Sequence, residues 1–89
     1  MLEKYEQVID QWIEDIVNNG DDDALFASGY LQGHVAVVLA KLDDAQESDF
    51  AALENNMAEC MALARKELED ADFALVQTAW LDLRDRLLA

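Results

Sequence analysis

The chain has 89 residues, enough for one helical domain spanning residues 1–89 and too few for two, so every element must feed a single core. Apolar residues make up 53% of it, which excludes intrinsic disorder, while 20 Asp and Glu against six Lys and Arg leave a net charge of -14. Such a surface repels nucleic-acid backbones and anionic lipid, so neither nucleic acid nor membrane is expected as a partner.

Helical spacing is the first organising signal. Tyr5, Val8, Ile9, Trp12, Ile13 and Ile16 recur on one face, with Glu3, Glu6, Asp10 and Glu14 away from it, which predicts a helix over 3–18. Asn18-Asn19-Gly20 ends it, with Gly20 expected in the left-handed conformation. Asp21, Asp22 and Asp23 then stand where their carboxylates can accept hydrogen bonds from first-turn N–H groups of a second helix.

That second segment, 23–42, is either one helix or two, because Ser28-Gly29 also reads as a re-start capped by Ser28. Lys41 suits its last turn, and residues 43–47 read as a loop. Ser48 is the expected cap of a third helix with the stripe Phe50, Leu53, Met57, Cys60 and Ala64, closed by Arg65 and Lys66. The next stripe is Phe73, Val76, Trp80, Leu83 and Leu87. At about 100° per residue Phe73 lies roughly opposite Ala64, so a straight helix would point its halves in opposite directions. A turn within 67–72 reunites them, with Asp70 or Asp72 as cap. The fold class is therefore all-α, an up-and-down (antiparallel) four-helix bundle.

The second helix lacks a wet face. From Tyr30 to Leu42 its only polar side chains are Gln32, His34 and Lys41. Leu31, Val35, Val38, Leu39 and Leu42 make a broad apolar stripe, and Gly29, Gly33, Ala36 and Ala40 make a small-residue stripe nearly opposite, with Val37 beside it. Three sister helices cannot cover so much circumference, which points to an intermolecular contact, with another protein or between two copies. The competing explanation is that Ala and Gly are tolerated at the surface. Net charge falls from -7 over residues 1–40 to -5 over 41–64 and -2 over 65–89, so the field steers a basic partner toward the first two helices. Solubility alone also explains an acid excess.

At Asp22-Asp23-Ala24-Leu25-Phe26-Ala27-Ser28-Gly29-Tyr30-Leu31-Gln32-Gly33-His34-Val35 the chain resembles the YfcL-like family of small bacterial proteins, with a weaker likeness at Ala74-Leu75-Val76 and Trp80. The resemblance implies a small intracellular protein of gammaproteobacteria and brings no biochemical activity with it. The family pattern has a Ser-Pro helix start at the last connection, where this chain has Glu69-Asp70, a softer boundary.

Chemistry-bearing residues are sparse. His34, with Tyr30 one turn before it and Asp23 upstream, makes a conceivable small-molecule or divalent-metal pocket, but a lone histidine is more often a packing residue with a hydrogen-bond partner. Cys60 sits between Met57 and Met61 and reads as a small core residue; being single, it forms no internal disulfide. Asp21-Asp22-Asp23 lacks the ligand spacing of a calcium loop and reads as a cap. Trp12 and Trp80 fall on core stripes. No phosphate loop, nucleophile triad, CxxC pair or zinc spacing occurs, so neither catalysis nor a cofactor is expected. An acidic chain can also imitate nucleic-acid phosphates toward a basic protein. No apolar run approaches the roughly 18 residues of a membrane span, and Met1-Leu2-Glu3-Lys4 does not begin a secretory signal, so a cytoplasmic location is expected. The candidate binding residues are thus Asp23, Gly29, Tyr30, Gly33, His34, Ala36, Val37 and Ala40.

Overall fold

The computed structural model describes residues 2–47 and 49–89 and contains four helices: α1 (Glu3–Asn19), α2 (Asp22–Asp44), α3 (Phe50–Glu67) and α4 (Asp70–Leu88). The second segment is one helix. Ser28 does not re-start it; its hydroxyl donates to the Leu25 carbonyl at 3.1 Å and the side chain is buried. Helix α2 also runs two residues beyond the expected end, to Asp44, and the turn after it is closed by Gln46 at φ 58°.

Gly20 is not left-handed. Its backbone is extended, at φ -81° and ψ 158°, and its N–H donates to the Ile16 carbonyl at 2.7 Å. The reason for glycine is close approach: a Cβ there would meet the Ile16 carbonyl oxygen at 2.7 Å and the Ala24 methyl at 3.2 Å. Asp21 then caps α2, accepting from the Ala24 N–H at 2.8 Å. For α3 the cap is Asp49, which accepts from the Ala52 N–H at 3.1 Å; Ser48 lies outside the described residues. The cap position of α4 belongs to Glu69, without a side-chain hydrogen bond, so neither Asp70 nor Asp72 caps; both sit inside the first turn, where negative charge suits the dipole.

Contacts between helix ends fix the directions. Leu2, Glu3 and Glu6 at the start of α1 share a depression with Leu39, Ala40 and Asp43 at the end of α2. Tyr30 of α2 donates to Glu67 at the end of α3, and Arg65 near that end lies over Phe73 at the start of α4. Arg84 late in α4 pairs with Glu54 and lies over the Phe50 ring early in α3. Consecutive helices therefore run antiparallel, as expected for an up-and-down bundle. The bundle is not square. Helix α2 packs on all three others and most extensively on α4, while the backbones of α1 and α3 stay apart, bridged at one end by an edge-to-face contact of Tyr5 with Phe50. The result is flattened, 35 × 30 × 19 Å, with a radius of gyration of 12.6 Å.

The core draws on all four predicted stripes, with Ile9 and Trp12 from α1, Leu31, Val35, Val38, Leu39 and Leu42 from α2, Leu53, Met57 and Ala64 from α3, and Val76, Trp80, Leu83 and Leu87 from α4. Tyr5, Val8, Ile13, Ile16, Phe50 and Cys60 of the same stripes pack against it half-buried, and Phe73 is half-buried too. Trp12 is fully enclosed, and its indole N–H donates to Asp82 at 3.1 Å. Arg86 also approaches Asp82, at 3.4 Å, and donates to Asp15 at 2.9 Å, so α1 and α4 are joined by a short polar chain beside the core. The hydrogen bond from Arg86, then that from Gln11, holds the Asp15 carboxyl below its ordinary value of 3.8. A lowered carboxyl favours the folded state above the unfolded value and loses that contribution as pH falls through the folded one. The stability gap between wild type and Asp15→Asn in urea is therefore expected to be open at about pH 6 and to close progressively as pH falls below the ordinary carboxylate range.

One expectation about α2 needs correction. At 23 residues it is long and apolar enough to cross a membrane by length and composition alone, although it contains no unbroken apolar run of that length. A third of its apolar window is buried inside the bundle.

Candidate functional site: the outer face of helix 2

The stripe opposite the core of α2 is exposed along its whole length. Asp22, Phe26, Gly29, Gly33, Val37, Ala40 and Asp44 follow one another at intervals of three or four residues, share an arc of about 80° on the helix, and all face solvent. Ala36 and Leu25 extend this face on one side. It is not a face of small residues alone: Phe26 is 42% exposed and Val37 55%. Gly29, Gly33, Ala36, Val37 and Ala40, named from the sequence, thus come together on one surface, and Phe26 joins them. Phe26 was hidden from sequence reasoning because it stands before Gly29, where the segment was open to division, and its phase depends on the helix being continuous.

The glycines are the unusual feature. A Cβ built on Gly29 or on Gly33 meets nothing within 4 Å, so no neighbour inside the chain requires their bareness. Each costs helix stability of about 1 kcal/mol relative to alanine. Elsewhere, exposed large apolar residues occur at Val17, Leu63, Leu81 and Leu88, each with charged or amide residues one turn away. Among the described residues, only α2 lines them up with glycine and alanine between two acidic ends.

Asp23, Tyr30 and His34 do not form a pocket. Asp23 and His34 are eleven residues apart on one straight element, about 16 Å along the axis at 1.5 Å per residue. Asp23 instead lines a groove of about 500 Å³ whose walls include Trp12, Asp21, Leu75 and Asp82 and neither Tyr30 nor His34. Tyr30 and His34 pack on each other, ring centroids 4.8 Å apart, and the Tyr30 hydroxyl donates to Glu67 at 3.1 Å. Burial, and then the Glu67 carboxylate, raise the Tyr30 phenol above its ordinary value, so this ring ties α2 to α3 as a neutral donor. Among the described residues no group of three or more His, Cys, Asp or Glu side chains is placed to hold a metal. Cys60 is half-buried, and burial pushes its thiol up; Lys41 of α2 acts in the opposite direction, more weakly.

A model of the YfcL protein family matches residues 3–85. This chain belongs to that family. It is 33% identical over 85 residues to "Uncharacterized protein YfcL" of Escherichia coli (strain K12), covering 93% of this chain and 92% of that one. No solved structure matches. The match encloses all of α2, so the exposed face lies within the shared region.

Proposed function

We propose that this YfcL family member is a non-enzymatic protein-contact module whose working surface is the outer face of α2. The observation that carries the reading is the pair Gly29 and Gly33, which stand in the middle of a helix against open space. A residue that weakens its helix and packs on nothing within its own chain is accounted for by a neighbour from outside, because missing Cβ atoms let a second backbone come close. Phe26 and Val37 supply the apolar anchors on either side of that bare centre.

The test is a photo-crosslinking side chain at position 36, on the face, compared with one at position 14, exposed on α1. The reading expects a protein adduct in cells from position 36 that disappears in a Val37→Glu background, with position 14 giving none of the same size. Equal adducts at both positions, or an adduct at 36 indifferent to Val37→Glu, would remove the support.

A further inference from the structure

Resting on that reading, we infer that the occupant of the α2 face is a helix carrying Lys or Arg at both ends of an apolar, small-residue stretch, and not a second copy of this chain. The apolar run from Phe26 to Ala40 is bounded along the same arc by Asp22 at one end and Asp44 at the other, about 33 Å apart. Both are exposed, and neither takes an ion pair or side-chain hydrogen bond among the described residues. Asp21, Asp23 and Asp43 reinforce the two ends. The one Lys or Arg on the helix is Lys41, off this arc, where its charge acts on Cys60 of α3.

This arrangement discriminates between occupants by symmetry. A second copy laid parallel on the face sets Asp22 against Asp22 and Asp44 against Asp44. Laid antiparallel, it sets Asp22 against Asp44 twice. Either way carboxylates meet at both ends, between two chains of net charge -14. A helix with basic ends replaces both repulsions by ion pairs in either direction. Exposed charges contribute little to the depth of a contact, but they choose the partner and speed its arrival.

The chain itself supplies the probe. Asp22→Lys combined with Asp44→Lys leaves the apolar face intact and puts a lysine at each end of its arc, in place of the two carboxylates that a partner would meet. In sedimentation equilibrium at low salt, wild type alone and the double variant alone are expected to remain monomeric, and their mixture to form a 1:1 complex. Association in the mixture should be about two- to tenfold tighter per end than that of wild type with itself, the size expected when a like-charge contact becomes an exposed ion pair. It should weaken as salt is raised and vanish with Val37→Glu in either component. Self-association of wild type that Val37→Glu abolishes would overturn the basic-ended partner while leaving the contact surface standing. A mixture that stays monomeric at low salt would overturn it too, and the crosslinking comparison at positions 36 and 14 then decides whether the face itself survives.

Discussion

Leu83→Ala is expected to destabilise the chain by about 2–5 kcal/mol, while Leu81→Ala, two residues away on α4, changes stability by about 0.5 kcal/mol or less. The two leucines are chemically identical and differ in place: Leu83 is fully buried in the common core and Leu81 is 53% exposed. Removing Leu83 deletes transferred apolar surface and leaves a void that Val76, Trp80 and Leu87 on the same face cannot fill without moving the helix. A domain of this size has about 5–15 kcal/mol in total, so the loss is a large part of it. Urea unfolding followed by helical circular dichroism checks it. The midpoint should fall by about 1 M or more for Leu83→Ala and stay nearly fixed for Leu81→Ala. Equal shifts would mean that α4 does not present the stripe assigned to it.

Replacing Gly29 and Gly33 together by alanine is expected to strengthen the isolated chain by about 2 kcal/mol, one for each position. The added methyls enter open space, so nothing offsets the gain in helix propensity. For a domain of 60–100 residues each kcal/mol raises the melting temperature by about 4–8 °C, which puts the double variant about 8–16 °C above wild type. The same substitution at Gly20 works in reverse, because its methyl would press on the Ile16 carbonyl and the Ala24 side chain. If the α2 face is a contact surface, the stabilised double variant is also the weaker binder, since its partner can no longer reach the backbone. A scanning calorimeter and the crosslinking yield read these opposed effects on one protein. A double variant that melts lower than wild type would show that the glycines serve the fold itself.

The four helices were legible because apolar phase is a local signal. The half-turn offset between the stripe ending at Ala64 and the one starting at Phe73 demanded a break in a stretch with neither glycine nor proline, and the break lies at Leu68–Glu69. Caps were less legible. Asp49 competes with its neighbour Ser48 for one role, and side-chain chemistry alone does not choose between adjacent acceptors. At Gly20 the sequence signalled an exceptional backbone, and the need turned out to be lack of space. What no single segment carries is the meeting of separate helices: the Tyr30 bond to Glu67, the Trp12 bond to Asp82, and the direct packing of α2 on α4. The candidate site divided along the same line. Gly29, Gly33, Ala36, Val37 and Ala40 share a face because they share a period, whereas Asp23 and His34 were grouped by proximity in sequence despite eleven residues of helix rise between them.

The most direct test of the central claim is the accessibility of the α2 face inside a cell. In a Cys60→Ser background, Ala36→Cys on that face and Glu14→Cys on α1 are labelled with a maleimide, first in the purified chain and then in intact cells producing it at native level. A covered face predicts equal labelling of the two cysteines in the purified protein and slower labelling at position 36 in cells, by severalfold relative to position 14. The same ratio in both settings would contradict it.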